Sequence, residues 1–156
     1  MRAGLVAIRQ ATQSYHDVNR ALADGYVPVS ECVAAPGLGA MGIHYLNPAF
    51  AADLAVNLLT PEVLLYAPSS DGPRLVAVEY FVAALANTGA APAPWFGAEA
   101  PTLGFFNSAP SLLGHTFNGP MAGHDPNMPW HYDLHVWVWQ ANPAGTFNQF
   151  NPKVSC

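Results

Sequence analysis

The stretch Gly123–Trp139 reads G-H-D-P-N-M-P-W-H-Y-D-L-H-V-W-V-W and mixes potential metal ligands with strand-forming residues more densely than any other segment. Its aromatic and β-branched residues from Tyr132 to Trp139 predict a buried strand. Side chains alternate between the two faces of a strand, so one face here is apolar and the other is first polar and then aromatic. We expect a functional site on this second face. It carries His131, Asp133, His135, Trp137 and Trp139.

The composition indicates one loop-rich, mainly β domain. At 156 residues, the chain 1–156 is long enough to bury its own core without help from a metal. Its 15 prolines and 13 glycines predict many turns. The few basic residues are scattered and the net charge is −5, which argues against nucleic acid and anionic membranes as partners. No apolar run is long enough to predict a transmembrane helix.

Hydrophobic periodicity divides the chain into a helix, a β core and an irregular region. A three-four spacing of apolar residues predicts one helix over about 4–24. Strand patterns over about 26–83 and 130–140 predict the β core. Residues 86–122 lack periodicity and are rich in proline and glycine, and such a stretch usually covers a site or is partly mobile. We therefore predict a small barrel or sandwich, loosely cupin-like, with the N-terminal helix packed on it.

The clearest local prediction is a hairpin whose second strand contains a glutamate. V-L-L-Y-A and R-L-V-A-V-E-Y-F-V-A flank Asp71-Gly72, a strong turn signal. Glu79 lies among apolar residues of the second strand, where an unpaired buried charge is costly. A contact with Arg74 or a tyrosine, or an outward position on an edge strand, would explain Glu79 without function. The alternative is that Glu79 and the histidines surround a divalent metal ion.

Three residues with metal-binding side chains occupy comparable mid-strand positions. His44, Glu79 and His135 each have apolar neighbours, and three strands of a small barrel can bring such side chains to one point. We predict a divalent transition metal bound by His44, Glu79, His135 and His131, with Glu79 as ligand or general base. Nitrogen and oxygen ligands without a spare thiolate favour copper, zinc, iron, nickel or manganese.

Spacing restricts how two of these histidines can act. In a straight strand the Cα atoms of His131 and His135 would be about 13 Å apart, which strains binding of both to one ion. Either the chain bends after Pro129, or only one of the two is a ligand. Asp133 is then a ligand or an acceptor that orients a histidine.

Other residues near the strand have supporting functions in this hypothesis. His124 is a weaker candidate for the site or its surroundings, and Trp137 and Trp139 would form a pocket wall. The competing interpretation is a set of hydrogen-bonded core histidines beside an aromatic pocket, in a non-enzymatic barrel that binds a small molecule. Zinc-protease chemistry is excluded because Tyr132 stands where H-E-x-x-H requires glutamate, and no serine has a nucleophile-elbow context.

The two cysteines, Cys32 and Cys156, predict one long-range disulfide and an oxidising compartment. Such a bond would contribute about 4–5 kcal/mol in a chain-entropy model. The alternative is a pair of free thiols, with Cys32 as a small buried hydrophobic residue.

Short motifs that cover most of the chain carry a resemblance to a known family. They are Y-H-D-V (15–18), A-D-G-Y (23–26), M-G-I-H-Y-L-N-P (41–48), L-L-Y-A-P (64–68), V-E-Y-F-V (78–82), H-Y-D-L-H-V-W-V-W (131–139) and N-P-K-V-S-C (151–156). In these motifs the chain resembles a family of small, mostly uncharacterised exported bacterial proteins. The resemblance implies a secreted or periplasmic location and names no activity; a signal peptide, usual in the family, is not visible here. A cupin-like barrel is a looser likeness, since the H-x-H pair of its first motif is absent.

Overall fold

A computed structural model describes residues 1–53, 55–84, 106–124 and 128–156. The described chain is mainly β with helices at the N-terminus, which confirms the predicted fold class. The helical segments are α1 (Arg2–Thr12), a 3-10 turn (Gln13–His16), α2 (Val18–Ala23) and α3 (Pro48–Ala52). The strands are β1 (Val27–Pro28), β2 (Val33–Ala35), β3 (Gly39–Leu46), β4 (Val63–Ala67), β5 (Arg74–Ala83), β6 (Ser111–Leu112), β7 (His115–Thr116), β8 (Asn118–Met121) and β9 (His131–Val136).

Seven strands form one antiparallel sheet in the order β1-β3-β4-β5-β9-β8, with β2 also paired to β3. Strands β6 and β7 form a separate two-stranded sheet. Within the described residues the large sheet remains open, with β1 and β2 near one edge and β8 at the other. The chain therefore does not form the closed barrel that was one of the two expected architectures.

The central strands are buried on both faces. The β4–β5 hairpin forms as predicted, around a turn in which Gly72 has φ +100°. One face packs an aromatic core, including Tyr66 and Tyr80, against the N-terminal helices through Ile8. The other face combines apolar residues such as Phe81 with the polar side chains described below.

The predicted single helix over 4–24 is divided into three helical segments. Ile8 and Thr12 are buried as their spacing predicts, but Leu22 is 44% exposed and Ala21 is buried in its place. A 3-10 turn has fewer residues per turn than an α-helix, so the buried side of α2 is rotated relative to the position that one continuous helix would give it. Asp17 then caps α2, its carboxylate accepting a hydrogen bond from the Asn19 amide at 2.9 Å.

Part of the region expected to be irregular is regular. Residues 106–122 contain β6, β7 and β8, whereas 85–105 lie outside the described residues. β8 was missed because Gly119 and Pro120 are poor strand residues, which strands tolerate mainly at edges. Gly119 has φ +115°, and a side chain there would lie 2.6 Å from the His131 carbonyl oxygen.

The long-range disulfide is confirmed. Cys32 and Cys156 are bonded across 124 positions of sequence. Nearby, the backbone of Asn151 pairs with Ala40 on β3, so the C-terminal tail is held to the sheet by hydrogen bonds as well.

No helix in the described parts of the chain has the length and apolarity needed to cross a bilayer.

Candidate metal centre

Strands β3, β5 and β9 bring His44, Glu79 and His135 together. Glu79 on β5 lies directly opposite His135 on β9. Leu46 on β3 pairs with Val63 on β4, and Val63 pairs in turn with Glu79 on β5, so Leu46 and Glu79 lie in one row across the sheet. His44 lies two positions before Leu46 on β3. Since positions two apart on a strand point to the same face, all three functional side chains lie on one face of the sheet.

The three side chains are close and almost fully buried. His44 Nε2 lies 3.4 Å from Glu79 Oε2, and His135 Nε2 lies 3.9 Å from the same oxygen. The exposed fractions of these side chains are 2%, 1% and 0% for His44, Glu79 and His135. One ligand atom from each lies within 4.8 Å of the others, a spacing that can hold a metal ion.

A second group shares Glu79. His131 Nε2 and His135 Nδ1 each lie 3.7 Å from Asp133 Oδ2. Ligand atoms of Glu79, His131 and Asp133 also lie within 4.8 Å of one another. The side-chain amides of Asn118 and Gln149 donate to Asp133 Oδ1 at 3.5 and 3.3 Å, which holds this carboxylate in place.

Hydrogen bonds outside the cluster set the tautomers of two histidines. The hydroxyl of Ser30 donates to the Glu31 carbonyl at 2.7 Å, so its oxygen accepts from His44 Nδ1 at 2.9 Å. His131 Nδ1 donates to the Pro129 carbonyl at 3.0 Å, because a carbonyl can only accept. In the neutral form both imidazoles therefore direct a lone pair on Nε2 into the cluster.

Five buried atoms of the cluster have no hydrogen-bond partner among the described residues. Most buried polar groups in proteins are hydrogen-bonded, so such a concentration calls for a missing partner. The atoms are His44 Nε2, Glu79 Oε2, His131 Nε2, His135 Nδ1 and His135 Nε2.

Burial and neighbouring charges shift the pKa values of the cluster. Burial, followed by the neighbouring histidines, holds the pKa of His44 well below its usual value, and burial also lowers the pKa of His135. Burial, with Asp133 and Glu62 nearby, raises the pKa of Glu79 well above its usual value. Burial alone would raise the pKa of Asp133, but His135, His131 and Asn118 outweigh it and lower that pKa. These shifts favour the neutral form of the His44 and His135 imidazoles, which is the form that binds a metal.

The structure separates the other candidate residues. Trp137 is buried on the cluster face and donates from Nε1 to the Asn148 carbonyl at 2.6 Å. Trp139 lies on the other face, where its Nε1 donates to Thr12 Oγ1 at 3.2 Å, so its expected place in the pocket wall is wrong. The reason is a tight turn after β9, in which the Val138 amide bonds to the Val136 carbonyl and ends the strand alternation.

His124 lies at the edge of the cluster. Its ring centroid is 5.9 Å from that of His44, and the residue is exposed. It lines a surface cleft of about 380 Å³ together with Ser30, Glu31 and Cys32. The cleft thus lies beside Ser30, the residue whose hydroxyl group orients His44.

Several polar residues of the site were not predicted. Ser30, Asn118 and Gln149 contact the cluster from loops or edge positions that have no distinctive sequence pattern. Glu62, just before β4, is also buried, with 1% of its surface exposed, and its carboxylate accepts from the Phe81 amide at 3.1 Å. Arg74, one expected partner of Glu79, instead donates to the Gln140 side chain at 2.9 Å.

Comparison of the chain with protein-family models, curated proteins and solved structures finds no match. The functional argument therefore rests on the geometry of the cluster. Tetrahedral coordination at typical zinc–nitrogen and zinc–oxygen distances places ligand atoms about 3.3 Å apart. The distances of 3.4 and 3.9 Å around Glu79 are equal to that value or longer by about half an ångström.

Proposed function

We propose that this protein is an exported metal-binding protein whose centre holds a divalent transition metal on His44, Glu79 and His135. The observation that supports this most strongly is the set of buried His and Glu atoms without hydrogen-bond partners among the described residues. One cation would satisfy His44 Nε2, Glu79 Oε2 and His135 Nε2 together.

A purely structural hydrogen-bond network explains these atoms less well. With Nδ1 of His44 donating to Ser30, Nε2 of His44 and an ionised Glu79 would be two acceptors facing each other at 3.4 Å. A proton on Glu79 can satisfy that contact. It cannot also satisfy the His135 nitrogen, which lies 3.9 Å from the same oxygen.

The ligand set supports catalysis as well as binding. Three protein ligands leave an open coordination position, as in catalytic rather than structural zinc sites, and two histidines with one carboxylate also suit non-haem iron. We propose a metalloenzyme, with a metal ion on these three residues, in which the cleft beside Ser30 and His124 admits a small molecule. The alternative of an aromatic ligand pocket has less support, since Trp139 lies on the other face of the sheet.

Export is part of the proposal. The disulfide between Cys32 and Cys156 supports an oxidising compartment, where such bonds persist. The resemblance to small exported bacterial proteins supports the same location.

The proposal is tested by titrating metal-free protein separately with Zn²⁺, Cu²⁺, Fe²⁺, Ni²⁺ and Mn²⁺ and measuring bound metal after dialysis. Wild-type protein should retain at least one ion per chain. At 100 times the dissociation constant, that ion should add about 2.7 kcal/mol to the free energy of unfolding. His44→Ala, Glu79→Ala and His135→Ala should each lose the ion that these three residues hold but keep the fold, because a domain of this length builds its own core.

His16→Ala is the matched control, since His16 is exposed and stacks edge-on against Trp139, away from the cluster. It should bind metal like the wild type. A structural network predicts a different pattern: no metal in any protein, and a loss of about 1–3 kcal/mol when a buried partner is removed. A wild-type protein that retains no ion after any of the five titrations would overturn the proposal.

A further inference from the structure

We infer that the centre has a second metal position, formed by His131 and Asp133, with Glu79 as a carboxylate shared between two ions. This inference rests on the proposed function, because it adds a second ion beside the one on His44 and His135. Glu79 is the only residue common to the two groups of potential ligands found in the described ranges.

The geometry of β9 favours the binding of His131 and His135 to different ions. β9 is a strand from His131 onward, so the chain does not bend between His131 and His135. Four strand steps place their Cα atoms about 13 Å apart, too far for both imidazoles to bind one ion comfortably. Each histidine instead belongs to its own group of three ligand atoms.

The hydrogen bonds of His131 indicate that a cation belongs beside it. Nδ1 of His131 must carry the hydrogen that it donates to the Pro129 carbonyl. The lone pair on Nε2 then points at Asp133 Oδ2, an acceptor 3.7 Å away, and Nε2 has no hydrogen-bond partner among the described residues. In a buried site two such acceptors are unfavourable unless a proton or a metal ion lies between them, and one metal ion would satisfy both.

Asp133 is positioned as a ligand for that cation. The side-chain amides of Asn118, on the edge strand β8, and of Gln149, in the C-terminal tail, donate to it. These contacts fix the carboxylate while its Oδ2 atom still faces His131. Supporting hydrogen bonds of this kind are typical of metal-ligating carboxylates.

Charge favours a second divalent ion. Glu79 and Asp133 are both 1% exposed, and within the described residues the ion pairs recorded for them involve only histidines. Two carboxylates in one buried cluster repel each other unless protons or metal ions compensate them. A shared carboxylate would place the ions about 3.5–4 Å apart, the usual spacing of two-metal centres.

The stoichiometry of Zn²⁺ binding tests the inference. Metal-free protein is titrated with Zn²⁺, and the ions bound per folded chain are counted by native mass spectrometry. We expect two ions in the wild type and in His16→Ala. His131→Ala and Asp133→Asn should each bind one ion, and Glu79→Gln should lose both because it removes the shared ligand.

The outcomes distinguish the inference from the proposed function. One ion in the wild type that persists in both His131→Ala and Asp133→Asn would overturn the inference and leave the proposed function standing. No ion in the wild type would overturn both. If His131→Ala does not fold, Asp133→Asn decides alone, since it retains the shape of the side chain and one acceptor oxygen for the Asn118 and Gln149 amides. Two ions there would overturn the second position, and one would support it.

Discussion

At the scale of single residues, Ser30 determines how His44 presents its imidazole. Its hydroxyl oxygen accepts from both the backbone amide and Nδ1 of His44, at 3.0 and 2.9 Å. These bonds leave Nε2 of His44 directed at Glu79. Ser30 is thus a positioning residue that contacts the ligand from outside the cluster.

Ser30→Ala should therefore weaken metal binding without unfolding the protein. Loss of a hydrogen bond that orients a ligand typically reduces metal affinity by about 10–100-fold. Competition with a chromophoric chelator measures the change. Ser111→Ala is the control, because Ser111 is exposed and its hydroxyl group hydrogen-bonds that of Thr116, on the separate two-stranded sheet. Equal affinities in wild type and Ser30→Ala would show that the hydroxyl does not orient the ligand.

Glu62 should make stability depend on pH. Burial raises its pKa from 4.5 to about 8, so between these values the folded protein holds a proton that the unfolded chain has released. Stability is then fully present below the unfolded pKa and is lost as pH rises toward 8, by about 1.4 kcal/mol per pH unit at most. Glu62→Gln should remove this dependence while keeping an acceptor for the Phe81 amide.

Urea unfolding of metal-free protein at pH 5 and pH 7.5 measures the effect. Between pH 5 and pH 7.5 the free energy of unfolding of the wild type should fall, relative to that of Glu62→Gln, by on the order of 3 kcal/mol. Glu31→Gln, at an exposed glutamate, should follow the wild type at both pH values. Parallel pH dependences for wild type and Glu62→Gln would contradict a buried, protonated Glu62.

At the scale of secondary-structure elements, β3 depends on a glycine two residues before His44. Gly42 has φ +105°, and a side chain there would lie 2.6 Å from the Tyr66 carbonyl oxygen on β4. Two effects therefore disfavour any residue other than glycine at position 42: the positive φ and the close approach of the neighbouring strand.

Gly42→Ala should destabilise the fold by about 2 kcal/mol or more, because it combines backbone strain with a clash inside the sheet. Gly72→Ala is the matched control: φ there is +100°, but nothing lies within 4 Å of the added carbon. Thermal melts of both variants separate the two effects. If Gly72→Ala costs as much as Gly42→Ala, strand contact is not what requires glycine in β3.

At the scale of the whole molecule, the disulfide joins the C-terminus to the segment before β2. The bond between Cys32 and Cys156 closes a loop over 124 positions. Cys32 also lines the cleft next to Ser30 and His124. The bond therefore ties the end of the chain to the edge of the candidate site.

Replacing both cysteines by serine should lower the free energy of unfolding by about 5 kcal/mol in the chain-entropy model, because the unfolded chain regains loop freedom. Urea unfolding of the double variant and of wild type measures this. Thiol titration of denatured, unreduced wild type should find no free thiol, whereas two per chain would contradict the bond. Reduced wild type should match the double variant.

Local patterns predicted much of the fold and the members of the site. The alternation of Tyr132 and Leu134 with His131 and Asp133 assigned each to its face, because strand side chains alternate whatever their partners. The turn at Asp71-Gly72 predicted the hairpin for a similarly local reason.

Long-range packing decided what local patterns could not. Trp139 leaves the face its spacing predicts because Val76 accepts hydrogen bonds from two residues of the turn that follows β9. The helix over 4–24 is divided because Asp17 starts a new helix and the buried stripe must meet the sheet. The packing of Trp139 and of the helical segments against the sheet depends on contacts between residues far apart in the chain.

By itself, the sequence determined a mainly β chain, its pairing of Cys32 with Cys156, and a face carrying His131, Asp133 and His135. Only the tertiary structure decided that the sheet stays open in the described residues, and that Glu79 lies between two groups of ligands. The physical reason is register: strand patterns set which way a side chain points, whereas the hydrogen bonds between β3, β4, β5 and β9 set which side chains meet.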